Sequence, residues 1–73
     1  MKQYTFNISV SYERFLPIYQ GDIDKIIVKD LTGLTIELAA KHLKPYLTPD
    51  GVNGQFKLLV DSRGKFQSLI RIF

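Results

Sequence analysis

The side chains best suited to chemistry in this chain are cationic, and they concentrate in its second half. Residues 41–73 carry six Lys or Arg against two Asp or Glu, whereas residues 1–40 carry four against five. Cations beside aromatic rings are typical of single-stranded nucleic-acid sites, because phosphates pair with cations and bases stack on rings. The candidate nucleic-acid contacts are therefore Lys41, His42, Lys44, Lys57 and Arg71.

Groups that could support catalysis are scarce. The chain has one histidine, His42, and no cysteine. No Ser-His-acid set or metal-ligand set can be assembled around that histidine, and Asp22 and Asp24 lack a third ligand. The glycines at 51 and 54 are not followed by the Lys-Ser/Thr pair and helix of a phosphate loop. We therefore expect no catalytic residue, no cofactor and no metal, and a protein that is not an enzyme.

The composition indicates one small globular domain covering residues 1–73. Apolar residues make up 45% of the chain, charged residues 23%, and the net charge is +3. This balance is ordinary for a folded protein, and no apolar run approaches the ~20 residues that cross a bilayer. The N-terminal residues contain no apolar segment typical of a signal peptide. We expect a cytoplasmic location and no membrane partner.

The first third of the chain changes from strand periodicity to helix periodicity. Residues 4–11 alternate apolar and polar, which predicts a strand with one buried face. The apolar side chains of residues 12–19 recur at helical spacing, with Ser11 as N-cap and Gly21 as the stop. Pro17 interrupts this pattern, so the prediction is a short or kinked helix.

Two stretches, residues 25–38 and 55–73, predict β-hairpins. Each has Asp before the turn and Gly three residues later, a pattern that favours a type I turn followed by a residue with positive φ. The loop length predicts which strand residues face each other. The expected pairs are Ile26 with Leu38, Val28 with Ile36, Val60 with Phe66, and Phe56 with Ile70.

The segment between the hairpins is less regular. Residues 39–44 predict one helical turn that Pro45 ends. Thr48-Pro49-Asp50-Gly51 predicts a tight turn, and Asn53-Gly54 predicts a second one. With this crossover, the element order is β-α-β-β-(short helical turn)-β-β. The predicted fold is mainly β (α+β): a small bent antiparallel sheet or partly open barrel of about five strands, with a flat sheet under one helix as the alternative.

The predicted hairpin register leaves apolar side chains on the outer face. Leu59 and Leu69 fall there as diagonal neighbours, close enough to touch. Either the helix or the chain end covers this pair, or the pair is a contact site for another protein or for a second copy of the chain. Tyr46 joins Leu59 and Leu69 as a candidate partner contact. Tyr46 alone is a poor stacking platform for bases, because Phe56 and Phe66 are expected to point into the core.

Several short motifs resemble those of one small bacterial family. They are Ser11-Tyr12-Glu13-Arg14-Phe15, Tyr19-Gln20-Gly21, Leu43-Lys44-Pro45-Tyr46-Leu47-Thr48, Asp50-Gly51-Val52, Gly54-Gln55-Phe56, Phe66 and Ser68-Leu69. The chain resembles, over nearly its whole length, the uncharacterised domain-of-unknown-function family 2835. That resemblance implies a bacterial, intracellular, small β-rich protein, and it transfers no catalytic or binding residue.

The function expected from the residues is a non-catalytic protein-interaction or accessory domain. Its contacts would come from the Leu59 and Leu69 face or from the loop of residues 45–54. The alternative is a nucleic-acid-binding module that uses the basic C-terminal half.

Overall fold

The structure, a computed structural model, describes all residues from Met1 to Phe73. Its elements are β1 (Lys2–Val10), α1 (Tyr12–Tyr19), β2 (Lys25–Lys29), β3 (Thr35–Ala39), two 3₁₀ turns (Ala40–His42 and Lys44–Tyr46), β4 (Val52–Val60) and β5 (Phe66–Arg71). The strands form two antiparallel sheets: a three-stranded sheet in the order β1-β4-β5, and the β2-β3 hairpin. The predicted mainly β fold and its element order are confirmed, and the arrangement does not close into a barrel.

The first strand and the helix form where their periodicities predicted them. Ser11 caps α1, since its hydroxyl accepts the backbone N–H of Arg14 at 3.3 Å. Pro17 lies inside the helix without ending it. In a helix of eight residues its ring removes one intrahelical donor, while its carbonyl accepts the N–H of Asp22 at 2.9 Å as the chain turns away. The buried face of α1 consists of Phe15 and Ile18.

The aspartates begin both hairpin turns as expected. One oxygen of Asp30 accepts the backbone N–H of Leu34 at 2.8 Å, and one oxygen of Asp61 accepts that of Lys65 at 2.9 Å. The first hairpin has the predicted register, with Ile26 opposite Leu38 and Val28 opposite Ile36.

The second hairpin follows its predicted register only next to the turn. Val60 faces Phe66, but Leu59 faces Ser68, so Gln67 is an extra residue on β5. This β-bulge shifts every later pair by one residue, and Phe56 therefore faces Arg71 instead of Ile70. The predicted Phe56–Ile70 pair is wrong, because a bulge allows the shift that one buried face was expected to forbid.

The crossover also differs from its predicted form. Pro45 lies within the second 3₁₀ turn rather than ending a helical turn. The turn at Thr48–Gly51 is present, with backbone hydrogen bonds in both directions between these two residues at 2.9 and 2.8 Å. Asn53 and Gly54 form no turn, since both lie inside β4. At a φ of +143° Gly54 still fits a strand, and its missing Cβ leaves room for Arg71 and the carbonyl of Phe73.

The core lies between the inner face of the three-stranded sheet, the inner face of the β2-β3 hairpin, and α1. Phe6 and Phe56 face each other across β1 and β4, with ring centroids 5.9 Å apart. The largest side chains without solvent exposure are Phe6, Phe15, Phe56, Leu43 and Val52. Burying each such side chain contributes roughly 1.5–3 kcal/mol to folding. A core drawn from every element holds the two sheets together although they are bridged only between Phe6 and Asp30.

Candidate partner-binding surfaces

The partner patch expected from Leu59 and Leu69 is wrong. Leu69 is only 8% exposed and packs in the core, whereas Leu59 is half-buried on the other face of the sheet. The bulge at Gln67 causes this, because it pairs Leu69 with the inward-facing Leu58 and so turns Leu69 toward the core. Leu69 therefore cannot contact a partner without unfolding of the strand.

The bulge creates a different apolar stripe on the outer face of the three-stranded sheet. Ile70 now faces Lys57, and the N–H of Ile72 donates to the carbonyl of Gln55 at 2.7 Å, which continues the pairing past the end of β5. Ile70 is 46% exposed and Ile72 is 41% exposed. Together with Leu59, these side chains form what we call the outer stripe.

The rest of this outer face is polar but almost uncharged. Because side chains alternate along a strand, the odd-numbered residues of β1 and β4 lie on this face with the outer stripe. They are Gln3, Thr5, Asn7, Ser9, Asn53, Gln55, Lys57 and Leu59. Lys57, on the middle strand, is the only charged residue of this set, and no helix or loop packs over the face as a whole.

Tyr46, the third candidate partner contact, makes contacts within the fold. Its hydroxyl donates to the carbonyl of Leu69 at 2.7 Å, and its ring meets Phe56 edge-on at 5.0 Å between centroids. The hydroxyl thereby satisfies a carbonyl at the free edge of β5, and the ring closes one side of the core. Both the ring and the hydroxyl of Tyr46 therefore make contacts within the fold.

His42 packs against Phe66 rather than standing alone. Their rings lie face to face, with centroids 3.6 Å apart and planes 4° apart. Phe66 was expected in the core, but it is 38% exposed, because it lies beside the turn at the end of the sheet and only His42 covers it there. The pKa of His42 is lowered below its ordinary value of 6.5. Partial burial is the larger cause, and repulsion from Lys41 is the smaller one.

The basic residues are divided between different surfaces. Lys41 and Lys44 line one cavity of about 290 Å³ together with Lys25, beside the end of α1. Lys57 lies on the outer face of the sheet. Arg71 pairs with Phe56, so it lies on the inner face of the sheet, beside Gly54. The five predicted nucleic-acid contacts therefore do not lie together in one site.

A third feature is an open groove between β1 and β2 that the sequence did not reveal. Its volume is about 500 Å³. It is lined by Asn7, Ile8, Ser9, Val10, Phe15, Ile18, Ile26, Ile27, Val28, Lys29 and Leu43. The sequence predicted the apolar alternation of these strands. No local pattern in the sequence indicates that β1 and β2 lie side by side and then separate.

The structure contains no group of three or more His, Asp or Glu side chains placed to hold a metal ion. It also contains no helix long and apolar enough to span a membrane.

Two separate antiparallel sheets around one short helix, with an uncovered outer face and an open groove, define a small α+β domain with surfaces for contact. The family model described as "protein of unknown function (DUF2835)" matches residues 2–72, so the chain belongs to this family. No curated protein and no solved structure matches the chain.

Proposed function

We propose that this protein is a non-catalytic interaction domain that binds another protein through the outer face of β1, β4 and β5. The observation that carries the proposal is the outer stripe of Leu59, Ile70 and Ile72 on a face with one charged side chain. Protein interfaces are typically depleted of charged residues around their apolar centre. Ile70 and Ile72 have no packing role that would require them to be apolar.

The partner that fits this face is a different protein rather than a second copy. In a symmetric dimer the same surface meets itself. Lys57 lies on the middle strand, so a face-to-face pair would bring two lysines together without a carboxylate on the strands of either face. Asp30, in the first hairpin turn, lines a cavity with Lys57 at the border of the face. A partner with an apolar centre and an acidic residue opposite Lys57 supplies the missing complement.

The test is affinity capture from the native cell with matched variants. The wild-type chain and Leu34→Asp, which changes a leucine that is 49% exposed beside the turn of the β2-β3 hairpin, should retain the same partner. Ile70→Asp with Ile72→Asp should lose it, because the two carboxylates would be buried unpaired against the apolar centre. The captured protein is then purified and its affinity measured by calorimetry. Equal affinity for the double variant, or capture of no protein by the wild type, contradicts the proposal.

The second candidate function is nucleic-acid binding by the cavity that Lys25, Lys41 and Lys44 line. Lys25 is already paired with Glu37 at 3.3 Å, so Lys41 and Lys44 are the cations that favour a phosphate ligand, although Asp24 also lines the cavity. Binding through phosphates weakens steeply with salt. If this candidate is right, single-stranded oligonucleotide is retained at low salt, and Lys41→Glu with Lys44→Glu abolishes retention. Absence of retention by the wild type at low salt removes this candidate.

A further inference from the structure

The groove between β1 and β2 is flanked by two strand edges that have no strand partner there. The strands are bridged at Phe6 and Asp30, and the N–H of Leu31 donates to the carbonyl of Thr5 at 2.9 Å. Beyond this bridge β1 pairs only with β4 and β2 pairs only with β3. The gap is thus the place where the two sheets fail to join into one.

The backbone polar groups at these edges point into the gap. In antiparallel strands the N–H and C=O of alternate residues point to opposite edges. Because Thr5 bonds toward the β2 side, Ser9 directs its own backbone groups to the same side. Asp30 and Asp24 bond toward β3, so the backbone groups of Ile27 point away from β3 and toward the groove. Ser9 and Ile27 are both exposed.

The floor of the groove is apolar and its one charge is positive. Eight of the eleven lining residues are hydrophobic, among them Phe15, Ile18 and Leu43 from the core. Lys29 is the only charged side chain of the lining, and it forms no ion pair. Backbone donors and acceptors on the walls, an apolar floor and a lysine at the rim match an extended peptide with alternating apolar side chains and an acidic residue.

We propose that this groove is a β-augmentation site, in which an extended peptide segment adds as a strand between Ser9 of β1 and Ile27 of β2, with an acidic side chain at Lys29. The site is separate from the outer stripe and does not depend on it. A small apolar molecule would use the floor alone, whereas an added strand would also use the backbone of both walls. That difference is the basis of the test.

The probe is a phage-displayed library of random heptapeptides selected on the folded protein. The expected consensus alternates apolar residues and contains Asp or Glu. In NMR spectra, the synthetic form of the selected peptide should shift the amides of Ser9 and Ile27. N-methylation of the peptide at alternate positions should weaken binding strongly in both alternations, since one set of N–H groups bonds to β1 and the other set bonds to β2.

Variants of the protein separate an added strand from simple apolar binding. Ser9→Pro and Ile27→Pro each remove an N–H that points into the groove and take no backbone bond from the sheet, so affinity should fall by about fivefold or more. Ser9→Ala removes only the hydroxyl bond to Asn53, and it should leave affinity unchanged. Glu37→Pro is the matched control, because Glu37 faces Ile27 across the hairpin and directs its N–H to the opposite edge. The control should leave affinity unchanged.

A charge reversal tests the same site without altering any backbone. Selection on Lys29→Glu should yield basic instead of acidic peptides, whereas selection on Lys65→Glu, an exposed lysine outside the groove and the outer face, should again yield acidic ones. The proposal is overturned if no peptide is enriched, if the selected peptides shift only residues outside the groove, or if N-methylation at either alternation has no effect. The last result would identify the groove as a site for apolar side chains or small molecules only.

Discussion

Gly51 is constrained both by its own backbone conformation and by contact with a distant strand. Its φ is +101°, and a Cβ at this position would lie 2.0 Å from the carbonyl oxygen of Val10. Two separate constraints therefore require glycine: a backbone conformation that L-residues rarely adopt, and contact with the end of β1. The sequence predicted a tight turn at residues 48–51, but the contact with β1 depends on a residue 41 positions away.

We expect Gly51→Ala to destabilise the protein by more than about 3 kcal/mol, because the strained φ and the backbone clash add. Gly33→Ala and Gly64→Ala are matched controls, since both glycines have positive φ but nothing within 4 Å of an added Cβ. Each control should cost about 1–2 kcal/mol. Urea unfolding measures all three. Equal losses for Gly51 and Gly33 would show that the contact with β1 does not constrain this site.

His42 should make stability depend on pH near neutrality. Its pKa lies below 6.5 in the folded chain, so the unfolded chain binds the proton more readily. The resulting contribution is fully present above pH 6.5 and decreases as the pH falls through 6.5 toward the folded pKa. No other side-chain type has an ordinary pKa in this window, and the chain has one histidine.

The expected measurement is a free energy of unfolding that falls between pH 7.5 and pH 5.5 in the wild type. In His42→Gln this slope should disappear. An NMR titration of the His42 ring gives the folded pKa directly, and a value above 6.5 would contradict the expectation. Asp30 titrates in a separate and more acidic range, because the Thr32 hydroxyl and backbone N–H groups lower its pKa below 3.8.

Among the strands, the two hairpins show what a turn motif predicts and what it leaves open. Both Asp-x-x-Gly turns form as expected, and the first hairpin keeps the predicted register along its length. In the second hairpin the register changes at Gln67. Turn chemistry determines the pairs next to the turn, whereas a bulge several residues away depends on how the sheet must bend over its core.

Deletion of Gln67 should remove the bulge without turning any side chain to the wrong face. Phe66 would stay opposite Val60, Ser68 would stay opposite Leu59, and Leu69 would remain in the core. We expect a folded protein that loses about 1–2 kcal/mol, a loss typical of single changes outside the core. Deletion of Lys57 from the middle strand is the control and should prevent folding, because it shifts the register with both β1 and β5. Thermal unfolding distinguishes these outcomes. An unfolded Gln67 deletion would show that the bulge itself is required.

The assembled protein presents two unfilled surfaces, the outer stripe and the groove, on different sides of β1. One is a sheet face that the first hairpin turn borders at one side, and the other is an open gap between the two sheets. Neither the outer stripe nor the groove is matched by a surface of complementary charge elsewhere on this chain. We therefore expect the protein to bind other molecules rather than itself.

Sedimentation equilibrium should therefore show a monomer of 8.4 kDa at high protein concentration. The physical reason is that a face-to-face dimer would place the two Lys57 side chains together without an acidic partner. Raising the salt concentration should not produce a dimer, because screening would remove the repulsion but supply no new attraction. A dimer that Ile70→Asp and Ile72→Asp dissociate would reassign the outer stripe to self-association.

The sequence by itself determined the elements of this protein: the alternation of β1, the capped helix, the two Asp-x-x-Gly turns and the first hairpin's register. These follow from interactions among residues close in the chain, where periodicity and turn chemistry act directly. Only the tertiary structure decided that Leu69 is buried while Ile70 and Ile72 are exposed, that the predicted basic residues separate, and that β1 and β2 diverge. Each of these results depends on packing between residues distant in the chain, because the core, and not local preference, determines how each strand bends and which side chains it leaves to solvent.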